Sequence, residues 1–198
     1  RSPRNHSSAA SDVYKRQFTS MVIIKNDVVS LSWIVLLVGL GFCHNANAQD
    51  EWEQMPSPSG VGRHHPITVA NTEFAYVLAG QDGITGQNLS DVHRFDAVSN
   101  SWTSLGVFPG GGRGYGYGVS KEDDAYVGFG SNDLGFPTDF WHLDMSTGQW
   151  TALQAFPGEG RNHPAMILVA GHVVVGLGSN DNGNLGDWYA YNLSLIHI

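Results

Sequence analysis

From residue 67 onward the apolar residues come in short runs separated by turn formers. Ile67 to Ala70 and Phe74 to Ala79 flank Asn71-Thr72-Glu73, the pattern of two strands joined by a hairpin rather than of a helix, whose apolar positions would recur every three to four residues over a longer span. No long amphipathic helix is visible. Asn100 and Thr147-Gly148 precede Trp102 and Trp150; these residues adopt φ > 0 easily, so a tight turn is expected just before each of these Trp residues.

The pattern repeats at long period. Trp52, Trp102 and Trp150 stand 50 and 48 residues apart, and Arg63, Arg113 and Arg161 follow them at the same spacing, each eleven positions after its Trp. Tyr76, Tyr126 and Val174 come thirteen after each Arg, and Gly80, Gly130 and Gly178 seventeen after. Asp91, Asp139 and Asp187 recur as well, each followed by an apolar residue (Phe95, Leu143, Tyr191) and then by Asp96, Asp144 or Asn192. Repeats of 40 to 50 residues built from short strands predict propeller blades, each burying its faces against its neighbours.

The segments DVHRFDAVSNSW (Asp91 to Trp102) and DFWHLDMSTGQW (Asp139 to Trp150), with the preceding Arg and the Tyr-Val-x-x-Gly run, resemble kelch repeats. The resemblance covers residues 52 to 192. It implies an all-β propeller of four-stranded antiparallel blades: strands one and two after the Arg, strand three ending at Phe-Asp, strand four starting at Trp. Kelch repeats usually carry Gly-Gly after the second strand, whereas this chain reads Ala79-Gly80, Phe129-Gly130 and Leu177-Gly178. Trp supplies the large apolar area that neighbouring blades need between them.

About three blades are expected, with repeats over 52–101, 102–149 and 150–193. The spacing places the next Trp at position 198, where Ile198 stands, and Trp52 is expected to open a fourth strand lacking its own first three. A ring needs four to eight blades, so the sequence reads as part of a longer, incomplete propeller.

Upstream, Lys25, the apolar stretch Val28 to Phe42 and Ala46-Asn47-Ala48 before Gln49 have the three parts of an export signal, expected over 21–48. The apolar stretch is shorter than the roughly 20 residues of a membrane-spanning helix. The single cysteine, Cys43, follows Phe42, whereas a lipoprotein signal places a small residue before its cysteine. Residues 1–20 and 194–198 fit neither signal nor repeat and resemble translated adapter sequence. A secreted, periplasmic or cell-surface protein is expected, without a membrane anchor after cleavage.

Composition agrees with many strands and tight turns: 41% hydrophobic, 14% charged, 25 Gly and 6 Trp. Five of the ten basic residues precede residue 49, against two of the eighteen acids, so residues 49 to 198 carry a net charge of about −11. Such a surface repels phosphate backbones, and no basic stripe is present, which excludes nucleic acid as a partner.

Strand order places the loops Pro56 to Pro66, Pro109 to Tyr117 and Pro157 to Pro164 on the same face as Gln81 to Ser90, Ser131 to Thr138 and Ser179 to Gly186. Loops on a rigid scaffold are where binding residues gather. Arg63, His65, Arg113, Tyr115, Arg161 and His163 are therefore the candidate ligand-binding residues, together with Asp82, Asp133 and Asp181. An Arg repeated once per blade also fits a structural ion pair that each blade needs. Tyr115 replaces the His of the flanking repeats, and no HxH or HExxH spacing is present, so no metal site is expected. Asp181, Asn182, Asn184 and Asp187 offer hard oxygen ligands that would suit calcium, although turn chemistry accounts for them.

The expected function is a noncatalytic binding module for a protein or glycan. The alternative, implied by resemblance to sugar-active kelch propellers such as galactose oxidase relatives, is a sialic-acid mutarotase or epimerase. The copper radical oxidase among these needs a Cys cross-linked to Tyr, and Cys43 lies within the export signal. A mutarotase needs an acid/base pair, for which Glu159 and the Arg residues are candidates.

Overall fold

A computed structural model describes residues 52–195. The leader over 1–20 and the export segment over 21–48 lie outside the described residues, as do 196–198 of the tail. Fifteen strands run in order: β1 (Arg63–His64), β2 (Ile67–Ala70), β3 (Phe74–Leu78), β4 (Gln81–Asp82), β5 (Asp91–Asp96), β6 (Ser101–Val107), β7 (Tyr117–Lys121), β8 (Asp124–Gly128), β9 (Phe140–Asp144), β10 (Gln149–Ala152), β11 (Ala165–Val169), β12 (His172–Gly176), β13 (Ser179–Asn180), β14 (Gly183–Asn184) and β15 (Trp188–Asn192). A single 3-10 turn follows at Leu193–Leu195.

The larger sheets are antiparallel meanders in chain order, β2-β3-β5-β6, β7-β8-β9-β10 and β11-β12-β15. Their registers repeat. Phe95 pairs with Trp102 in the first sheet and Leu143 with Trp150 in the second, so the fourth strand starts at Trp as expected. The turn before it is made by the repeated Asp. Asp96 Oδ1 accepts from the N–H groups of Val98 and Ser99, and Asp144 Oδ1 from those of Ser146 and Thr147. Asn100 (φ 50) and Gly148 (φ 74) complete these turns in the left-handed region. Asn71 Oδ1 likewise accepts from Glu73 N–H and Phe74 N–H at the hairpin between β2 and β3.

Alternation along the strands explains how the sheets pack. In β8, Ala125 and Val127 join a core with Ile67, Val69, Tyr76, Leu78 and Phe108 of the first sheet and its following loop. Tyr126, between them in sequence, points the other way into a core with Phe140, Val173 and Val175. The middle sheet is thus buried on both faces, one against each neighbour, which is the packing of successive propeller blades. Trp150 joins the first of these cores, 5.0 Å from Phe108 between ring centroids.

Polar bonds fasten the same junctions. Tyr76 Oη donates to Met145 O (3.0 Å), Ser120 Oγ to Ala70 O (2.6 Å) and Asn71 Nδ2 to Asp123 Oδ1 (2.6 Å).

One expected element is not formed. Residues 52–62 contain no strand, and Trp52 is fully exposed. A strand exists only where a sheet edge offers it partners, and β6 already holds the fourth position of the first sheet.

Candidate functional site

The three repeated arginines lie beneath the loop face, each in the same set of bonds. Arg63 Nη1 and Nη2 donate to the two carboxylate oxygens of Asp91, both at 2.7 Å. Arg113 grips Asp139 in the same way at 2.6 and 2.8 Å, and Arg161 grips Asp187 at 2.6 and 2.9 Å. Nη1 of each also donates to the carbonyl of Ala79, Phe129 or Leu177. Arg113 and Arg161 are 1% and 0% exposed. Two-pronged ion pairs of this kind fix geometry as well as charge. The guanidinium groups therefore tie the loop entering each sheet to the end of its second strand and the start of its third.

The carboxylates respond accordingly. The Arg63 guanidinium and His93 hold Asp91 at about 2, against the opposing effect of burial. Burial pushes Asp139 upward, but Arg113 and the Trp141 indole outweigh it and leave the group below its ordinary value. Arg161 lowers Asp187.

Two residues after each arginine the chain turns toward its neighbours. His65, Tyr115 and His163 have φ of 49°, 61° and 50°, a left-handed conformation that non-glycine residues adopt at a cost of about 1–2 kcal/mol. The shared conformation brings the three side chains together. Ring centroids are 4.1 Å apart for His65 and Tyr115, 5.0 Å for Tyr115 and His163, and 5.4 Å for His65 and His163. The backbones join too: Tyr115 N–H donates to His65 O and His163 N–H to Tyr115 O. Backbone strain of this kind is found often at functional sites, which makes this cluster the candidate.

Around this cluster lies a cleft of about 240 Å³, lined by His65, Pro66, Thr68, Tyr115, Gly116, Tyr117 and Gly118. His64 adds to it, its Nδ1 lying 2.7 Å from Nδ1 of His65, so that one imidazole donates to the other. Partial burial, together with the nearby His64 and His163, lowers the His65 pKa and favours its neutral form. The lining offers aromatic faces, imidazole nitrogens and hydroxyls, and no carboxylate. It can stack on a flat or puckered ring and exchange hydrogen bonds.

The structure brings His65, Tyr115 and His163 together and puts Arg63, Arg113 and Arg161 below them in ion pairs. The three aspartates do not line the cleft. Asp82 Oδ1 accepts from the N–H groups of Ile84 and Thr85 in its own turn, which lowers its pKa. Asp133 accepts from Asn88 Nδ2 of the preceding unit, and Asp181 is exposed. The two loop sets do share a face: β1 pairs with β4, and single bridges join Gly114 to Ser131 and Asn162 to Ser179.

Of the residues suited to calcium, Asp187 has both oxygens on Arg161, and Asn182 donates through its side chain to Glu159 Oε2. Glu159 also accepts from Asn180, and these two amides hold its pKa down. No cluster of three or more His, Cys, Asp or Glu able to hold a metal occurs among the described residues.

Sequence reasoning missed three contributors. His64 and Tyr117 lie within loops read as binding loops without being singled out, although the His64-His65 doublet signalled the first, whereas Thr68 lies on a strand read only for its packing. A structural ion pair at each repeated Arg was legible, but not which Asp completes it.

The family model of the Kelch motif matches residues 75–106, from β3 through β6. No curated protein matches the chain. With that motif on its first sheet and the same register in its second, the described residues form an all-β run of antiparallel blades, a fold consistent with a β-propeller of kelch-type repeats.

Proposed function

We propose that this protein is an exported, noncatalytic binding propeller that captures a glycan or a protein segment at the cleft around His65, Tyr115 and His163. One observation carries this reading: three residues at equivalent positions of three successive units share a strained backbone and converge within 5.4 Å of one another. Kelch repeats as a class serve as interaction modules, and the lining holds ring faces and neutral hydrogen-bonding groups, which suit sugar rings or the flat side chains of a peptide. The Met21 to Ala48 signal pattern supports export, and the acidic charge of the repeats argues against nucleic acid.

Screening the full chain on glycan and peptide arrays, followed by titration calorimetry on the hits, tests the proposal. Tyr115→Ala and His163→Ala are expected to lose binding with little change in melting temperature. Arg113→Ala is expected to lower the melting temperature by removing one partner of a buried pair, a change of about 3 kcal/mol. Binding retained by both cleft variants would refute the site.

A second reading rests on the His65–His163 pair. Two imidazoles flanking a phenol could serve as acid and base for epimerisation or mutarotation of a sugar. Faster interconversion of sialic-acid anomers by the full chain, abolished by His65→Ala, would favour this reading over simple binding.

A further inference from the structure

The cleft around His65 has a one-sided chemistry. Among the described residues no Asp, Glu, Lys or Arg lines it, although the repeats are strongly acidic. His65 follows β1, Thr68 lies on β2, Tyr115 and Tyr117 stand at the entry to β7, and His163 approaches from the loop into β11. The charged groups beneath are matched in pairs, Arg63 with Asp91, Arg113 with Asp139 and Arg161 with Asp187. Asp82, the register partner of Arg63 on β4, accepts from the N–H groups of its own turn. The charge of the cleft is therefore set by His64, His65 and His163, and imidazole is the side chain that changes charge between about pH 5 and pH 8.

His64 Nδ1 and His65 Nδ1 lie 2.7 Å apart, a spacing at which only one of the two nitrogens carries a proton. Protonating the donor ring at its Nε2 keeps this bond and makes it charge-assisted, hence stronger; protonating both rings breaks it. The pair thus takes up one positive charge and resists a second. His163, its centroid 5.4 Å from that of His65, adds another charge at a distance where like charges repel. Burial, His64 and His163 all lower the His65 pKa; an anion against these rings acts in the opposite direction and favours the charged form.

We infer that the cleft selects a uronic-acid residue of a glycan, held by its carboxylate against the protonated His64–His65 pair and His163, so that capture strengthens as pH falls. The inference rests on the binding reading above and names the substrate class of that site. A uronic acid carries its carboxylate directly on the sugar ring. Tyr117 is 40% exposed, and its ring centroid lies 6.3 Å from that of His163, so one sugar ring sets its C–H face on the phenol and its carboxylate at the imidazoles. An acidic peptide holds its carboxylates on flexible stems that offer no such face, and a neutral sugar gains the stacking alone. The wall is fixed in advance: a Cβ on Gly116 or Gly118 would stand 2.6 Å from Ile67 or Val69, so β7 is pressed directly against β2. Groups held in place before binding lose little freedom on it.

Titration calorimetry of the full chain with a galacturonic-acid trisaccharide, its methyl ester and a triglutamate peptide tests this, each at about pH 5.5 and about pH 7.5, either side of the imidazole range. Carboxyls ionise near pH ~4, so the probe keeps its charge at both and any change belongs to the protein. The trisaccharide is expected to bind about tenfold or more tightly at the lower pH, since each proton taken up changes affinity by up to about tenfold per pH unit. The methyl ester, with the same rings and no charge, is expected to bind weakly and equally at both. His163→Asn, in which Asn accepts the left-handed backbone, removes most of the pH dependence; His172→Asn, at the far end of β12, keeps it. Heats measured in two buffers of different ionisation enthalpy read the proton uptake on the unmodified chain, without reliance on any variant. Equal affinity for the trisaccharide at both pH values, absence of proton uptake, or binding of the peptide alone would each overturn the inference. Methyl ester bound as tightly as the acid, with binding lost in Tyr115→Ala, would overturn it and leave the binding reading standing; no cleft ligand among the probes or on the arrays would overturn both.

Discussion

At Ala79, Phe129 and Leu177 the backbone is left-handed, with φ of 57°, 65° and 57°, and the glycine after each is left-handed as well. This is where kelch repeats usually hold two glycines, so the departure noted in the sequence is one of side chain and not of backbone. Each residue accepts strain of about 1–2 kcal/mol for what its side chain contributes. Ala79 and Phe129 are buried, and Phe129 packs on Phe140 and Phe156. Leu177 is 44% exposed and recovers little. Leu177→Gly should therefore leave stability unchanged or raise it by up to about 1 kcal/mol, since relief of strain exceeds the added freedom of the unfolded chain. Phe129→Gly should cost about 2–4 kcal/mol through its lost packing. Calorimetric melting of the two variants checks both; a Leu177→Gly variant that melts well below the parent would refute the assignment of strain.

Between neighbouring elements the decisive positions are those where two backbones nearly touch. A Cβ on Gly130 would stand 2.3 Å from Gly114 O and 2.6 Å from Gly116 N. The loop entering the second sheet lies directly against the end of β8 there, and no side chain can separate them. Gly148 is also left-handed but has open space around it. Gly148→Ala should cost about 1 kcal/mol, for the conformation alone, whereas Gly130→Ala should cost about 3 kcal/mol or more because a backbone must also move. Urea denaturation curves distinguish the two. Equal losses would mean that the close approach carries no energy.

The whole molecule is held by carboxylates whose pKa values fall on folding. Asp91 lies at about 2 against an ordinary 3.8, chiefly through Arg63, and Asp139 and Asp187 are lowered in their own pairs. Asp144 is held at about 2 by its turn with Ser146 and Thr147. A depressed carboxylate pKa stabilises the fold above the unfolded value and loses that stabilisation as pH falls through the folded value. Stability is thus expected to hold from neutrality to about pH 5 and to decline from near pH 4 toward pH 2. Urea midpoints measured across this range check the window, and Asp91→Asn should flatten part of the decline. A midpoint insensitive to acid would remove the ion pairs from any part in holding each sheet to its entering loop.

Spacing along the chain determined much of this unaided. Equal offsets of Trp, Arg, Gly and Asp specify one strand pattern repeated three times, because a strand's side-chain alternation and its turn residues are local properties that neighbours in sequence can encode. The tight turn before Trp102 and Trp150 and the start of the fourth strand at Trp were legible for the same reason. Tertiary structure alone decided which Asp each Arg grips, since residues 26 to 28 apart meet only after the first two strands of the sheet have folded back. It also decided that His65, Tyr115 and His163 form one cluster: residues about 50 apart share a site only when successive sheets turn about a common axis. Trp52 shows the converse, a residue with the right spacing and no strand, because pairing depends on an edge that other residues must supply.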